Sequence, residues 1–90
     1  MIKLTSAVDT APHRLRLTFS DGTTGELDFL PLLMAHDTAL TVPLRDPAVF
    51  TRHYLELGAL AWPNGLEFSA RSLQIKLIEA GSLQALKQAA

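Results

Sequence analysis

Apolar and polar residues alternate through the first third of the chain, and that period predicts strands. Ile2, Leu4, Ser6 and Val8 share one face of a half-buried strand across Met1 to Thr10, which Ala11-Pro12 interrupts. From His13 to Phe19 the pattern resumes, with Leu15, Leu17 and Phe19 on one side and Arg14, Arg16 and Thr18 on the other. Ser20-Asp21-Gly22 is a turn with a glycine available for a left-handed position. Thr23 to Phe29 returns with Leu27 and Phe29 facing away from Glu26 and Asp28. These two strands form an antiparallel hairpin, with cross-strand ion pairs from Arg14 and Arg16 to Glu26 and Asp28.

After the hairpin the alternation stops. Leu30 to Ala35, LPLLMA, is apolar on every side, and Pro31 suits the start of one or two helical turns that are either buried or part of an interface. His36 to Pro43 reads as a loop leading to Leu44. A clear helix start follows. Asp46 can accept from the free N–H groups of a first turn, Pro47 fits the first helical position, and Ala48 to Arg52 completes about two turns. Leu44 and Phe50 bracket the cap as a hydrophobic staple.

His53 to Leu57 and Ala59 to Trp62 are extended, either two strands meeting at Gly58 or one strand bent there. Trp62-Pro63-Asn64-Gly65 ends the run, because Pro63 cannot donate to a ladder and Asn64-Gly65 tolerates the positive φ of a tight turn. Ser69 caps a helix from about Ala70 to Ala80, with Leu73, Leu77 and Ala80 on one stripe, and Gly81 stops it. Ser82 to Ala90 reads as a further helical turn or two.

These elements specify a single α+β domain over residues 1–90: an antiparallel sheet of four or five strands, short helices near residues 30–35 and 46–52, and a C-terminal helix near residues 70–80 packed on one side. Charged residues, at 19%, fall below the usual quarter of a globular chain, so an exposed apolar patch and a homodimer are expected. A net charge of −1 supplies no basic excess for phosphates, so no nucleic-acid partner is expected. Without cysteine there is no disulfide, thiolate zinc site or cysteine nucleophile, which fits a reducing cytoplasm. No stretch approaches the ~20 apolar residues of a span, and MIKLTSAVDT lacks a signal peptide's apolar run, so the expected location is cytoplasmic with no membrane.

Candidate chemistry is sparse. His13, His36 and His53, spaced by 23 and 17 residues, match no local zinc pattern, and neither metal nor cofactor is expected. Asp28, His36 and Asp37, or Glu67 with His53, could pair as acid and base, yet no G-x-S-x-G, phosphate loop or H-E-x-x-H is present, and no catalytic residue is assigned. Arg14, Arg16, Arg52 and Arg71 would form a nucleic-acid patch only if the fold gathered them. The apolar LPLLMA stretch and a strand edge near Gly58 are better candidates, giving Leu32, Leu33, Met34, Leu57 and Trp62 as partner-binding residues. Trp62 reads first as core, and Asp46, Pro47, Phe50, Trp62, Pro63, Asn64 and Gly65 read as a structural motif.

In order, FSDGTTGELDF, LPLL, LRDPAVF, an extended stretch and WPNGLEF resemble the small bacterial family called domain of unknown function 2442, from about Ala7 to Leu77. LRDPAVF with WPNG at this spacing carries the resemblance. Glu67 stands where the family commonly has Asp, and the turn around Gly58 is shorter than usual. The resemblance implies a small α+β protein of unestablished function, in some cases encoded beside another small protein in a toxin–antitoxin-like pair. The expected function is a non-catalytic protein-interaction module, antitoxin-like toward a small neighbouring protein. The alternative is a small-molecule binding domain or minor enzyme using Asp28, His36 or Glu67 in a cleft beside the sheet.

Overall fold

The computed structural model describes residues 1–85, and its first third is the meander that the alternation implies. β1 (Leu4–Ala11), β2 (Arg14–Phe19) and β3 (Thr23–Asp28) pair antiparallel in sequence order. Leu15, Leu17, Phe19 and Leu27 turn inward, while Arg14 and Arg16 stand across from Asp28 and Glu26 on the outer face. Gly22, at φ 85°, closes the turn between β2 and β3.

β1 departs from simple alternation. Its register slips between Leu4 and Ser6, so Thr5 is an inserted residue and the side chains from Ser6 to Asp9 change face, until a second slip between Asp9 and Ala11. Ala7 packs on the core instead of Val8, which is 53% exposed. The second strand opens at Arg14 rather than His13 because His13 occupies the turn after Pro12, at φ 61°. His13 is buried there. Its Nε2–H donates to the Leu44 carbonyl at 2.9 Å, and its ring lies 5.0 Å from that of Phe50.

α1 (Leu30–Met34) follows β3 directly, with Asp28 Oδ1 accepting from the Leu30 N–H at 3.0 Å. The end of the expected loop is a 3-10 turn, Val42–Arg45, and Arg45 Nε ties it to the Leu33 carbonyl at 3.0 Å. α2 (Pro47–Phe50) is capped as expected, with Asp46 Oδ1 accepting from the Ala48 N–H at 2.9 Å. Leu44 and Phe50 both lie in the core.

β4 (Tyr54–Glu56) and β5 (Ala59–Ala61) are two strands joined at Leu57-Gly58, and β6 (Glu67–Phe68) adds to β5 after the Asn64-Gly65 turn. In that turn Gly65 N–H donates to Trp62 O at 3.0 Å, and Asn64 Oδ1 accepts from the Leu66 N–H at 3.1 Å. The strands divide between two sheets, β1-β2-β3-β7 and β4-β5-β6. They do not merge, because the outer edge of β3 is taken by β7 (Gln84–Ala85), while β1 meets the second hairpin at its tip, Leu4 N–H to Gly58 O at 2.8 Å.

α3 (Ala70–Glu79) starts where Ser69 Oγ accepts from the Ser72 N–H at 3.1 Å. Its buried stripe is Ala70, Leu73, Gln74 and Leu77, with Ala80 exposed. Gly25 lets it approach the sheet: a Cβ there would stand 2.7 Å from the Ser82 carbonyl oxygen and 3.0 Å from Leu77. After Gly81, at φ 69°, Ser82 N–H reaches back to Leu77 O at 2.8 Å and the chain reverses onto β3. The segment after Gly81 is therefore a strand at Gln84–Ala85 rather than a helical turn, and the rest of that expectation, residues 86–90, lies outside the described residues.

Both sheets share one core whose centre is aromatic. Trp62 is buried, its Nε1–H donates to the Phe50 carbonyl at 2.8 Å, and its ring lies 5.4 Å from Phe50, 6.2 Å from Phe29 and 6.0 Å from Phe68. Trp62→Phe keeps most of this packing but leaves the Phe50 carbonyl with only the long bond from the His53 N–H at 3.4 Å, which should cost about 0.5–1.5 kcal/mol in urea unfolding. A loss below about 0.3 kcal/mol would mean that the indole hydrogen bond contributes nothing net.

Candidate functional site

Among the described residues, two outside glycine have a left-handed backbone, His13 and Leu57, and they differ in what the conformation gains. His13 is held by a buried hydrogen bond and an aromatic neighbour. Leu57, at φ 51°, is 94% exposed at the tip of the β4–β5 hairpin. With Gly58 at φ 83° beside it, the pair fits a two-residue turn with positive φ at both centres, where Asn, Asp or Gly is the easy choice. Leucine there costs roughly 1 kcal/mol of backbone strain and leaves apolar surface in water. Folding gains nothing from it.

The tip is rigidly seated. Gly58 accepts the Leu4 N–H, and its missing side chain makes room for Lys3, whose Cβ would be 2.6 Å from a Cβ at position 58. Beside the tip lies a mainly apolar cleft of about 260 Å³, walled by Ile2, Leu57, Ala59, Ala70 and Arg71 among others. Tyr54 and Leu55, also exposed, extend the apolar surface along β4.

The other expected contact residues separate. Leu33 and Trp62 are fully buried, so neither can meet a partner on this surface; the ring of Trp62 fills the core and Leu33 is the inward side of α1. Leu32 is partly buried against the core. Met34 is 56% exposed and shares the outer side of α1 with Leu30, one turn away. LPLLMA is thus both core and surface, split by helical period.

The polar candidates do not converge. Asp28 caps α1, Glu67 is exposed on β6, and the carbonyl of exposed His36 is bound by Arg45 at 3.2 Å. A polar cleft of about 280 Å³ is lined by Arg14, Arg16, Gly25, Glu26, Gly81, Ser82 and Gln84, and includes none of these three. Arg14 sits 2.8 Å from Glu26 and 3.9 Å from Asp28, and Arg16 sits 3.8 Å from Glu26, so its cations are matched by acids. Arg14's hydrogen bond, with Arg16's charge adding, holds the Glu26 carboxyl below the usual range.

His53 pairs with Asp9 rather than Glu67, Nε2–H donating to Oδ2 at 3.0 Å. His53 and His13 flank Phe50, with ring centroids 6.0 and 5.0 Å from it. Gln74, buried, binds Asp21 at 2.9 Å and Thr23 at 3.1 Å and locks α3 to the β2–β3 turn. Neither link has a local sequence signature, because the partners lie far apart along the chain. Among the described residues no group of three or more His, Asp or Glu is placed to hold a metal ion, and no helix is long and apolar enough to cross a membrane.

The fold and this surface define a small α+β module: among the described residues, two antiparallel sheets, three α-helices and an exposed apolar hairpin tip over an aromatic core. The chain belongs to the family described as Protein of unknown function (DUF2442), whose model matches residues 5–75. Comparison with curated proteins and with solved structures gives no match.

Leu57→Asn relieves the strain at the tip, and its thermal midpoint should rise by roughly 2–6 °C. A fall would show that Leu57 is packed in solution. Because Glu26 is held below its ordinary value, its ion pair stabilises fully above the unfolded carboxylate range, and that gain is lost as the pH falls through the lowered folded value. Glu26→Gln should therefore lower stability at neutral pH and flatten the acid decline of urea midpoints; an unchanged decline would assign it to other carboxylates.

Proposed function

We propose that this protein is a non-catalytic protein-interaction module that grips a small protein partner through the β4–β5 hairpin tip, in the manner of an antitoxin. The observation that carries the reading is Leu57: an apolar side chain displayed in water, on a strained backbone, over a seat built from Lys3 and Gly58. A residue that weakens folding and is fully displayed is best accounted for by a contact outside the chain. The neighbouring cleft of about 260 Å³ supplies a recess for a partner's apolar side chain.

The test is a tagged pull-down from the host with wild type and Leu57→Asn in parallel. Wild type should retain one small companion in near-stoichiometric amount, and the better-folded variant should lose at least about tenfold of it. Retention of nothing, or equal retention by both, would overturn the reading.

A further inference from the structure

Helix α3 buries one side and leaves the other open. At 100° per residue, Arg71, Ile75, Ile78 and Glu79 fall within an arc of roughly 100° on the outer face. Ile75 is 42% and Ile78 54% exposed, and Arg71 and Glu79 are exposed beside them, Arg71 using one guanidinium N–H on Gln74 Oε1 at 2.8 Å and keeping its others for a further acceptor.

The two ions stand at the unfavourable ends of their own helix. A backbone dipole favours acids in the first turn and bases in the last, whereas α3 has Arg71 near its start and Glu79 as its final residue. Both lie four residues from Ile75, about 6 Å along the axis in each direction. A second α3 laid antiparallel, with the two-fold axis through Ile75, therefore places Arg71 against Glu79 of the second copy and Glu79 against its Arg71 in one operation. Ile75 meets its own symmetry mate, and Ile78 lies beside Ser72 of the other copy. Each ion also comes to the favourable end of the other helix's dipole.

We infer that the outer face of α3 is a contact between two copies of this chain. A different partner would have to supply matching charges at this spacing; a second copy already carries them. The ten-residue helix is about 15 Å long, so the contact falls well short of the ~800 Å² per partner of a stable complex. The dimer is weak, forming in roughly the high-micromolar to millimolar range. The inference is independent of the Leu57 reading, and Leu57→Asn leaves it intact.

Sedimentation equilibrium of the full chain from about 10 μM to about 1 mM tests it. Wild type should dimerise, while Glu79→Arg and Arg71→Glu, each opposing like charges twice, should weaken association by roughly tenfold or more. Glu79→Arg also suits the helix dipole, so its thermal midpoint should not fall, separating dissociation from unfolding. An equimolar mixture of the two variants restores both ion pairs and should associate within about threefold of wild type. A wild type that stays monomeric at about 1 mM would leave the face to another kind of partner and overturn the inference, as would an unaffected Glu79→Arg or a mixture no better than its components.

Discussion

The indole N–H of Trp62 donates to the Phe50 carbonyl at 2.8 Å in the middle of the core, and the rest of the structure depends on that link. It joins the second sheet to the short helix α2, whose own length is too small to hold it. Around it Phe29 arrives from the end of β3 and Phe68 from β6, with tilted and edge-to-face rings between 5.4 and 6.2 Å apart. Such geometry adds to the burial of area and fixes mutual orientation. The two sheets share few backbone bonds, so these rings set how one lies against the other. The seat under Leu57 follows from it, because β5 carries both Trp62's neighbour Ala61 and the hairpin tip.

Local chemistry made much of this legible from the residues. Asp46-Pro47, Ser69 and Asn64-Gly65 each act through atoms a few residues away, and each makes the bond that its type suggests. The alternation of β2 and β3 likewise placed Arg14 opposite Glu26 and Asp28. What escaped was long-range or counted in single residues. A one-residue bulge at Thr5 inverts the middle of β1, and nothing in the residue types announces it. Gln84–Ala85 lies in a stretch that reads as helix by composition, yet the open edge of β3 pairs it as a strand.

The surface was half legible. Leu57 and Met34 are exposed as a contact would require, whereas Leu33 and Trp62, equally apolar, are enclosed. Hydrophobicity cannot divide these pairs; backbone angle and helical phase can. The two left-handed residues make the same point. At His13 the fold offsets the strain with a buried hydrogen bond, while at Leu57 the strain stands beside water.

Gly25 bears on how the open edge of β3 is covered. Its bare Cα admits Leu77 and the carbonyl of Ser82, and only a docked α3 brings Ser82 to that spot. β7 then pairs with Thr23 and Thr24, residues from the opposite end of the sequence. The fourth place in the first sheet is thus tied to the seating of α3, because the strand that fills it leaves that helix through the Gly81-Ser82 reversal. Until Gln84–Ala85 pairs there, the edge of β3 offers unpaired N–H and C=O groups to any other extended chain that meets it.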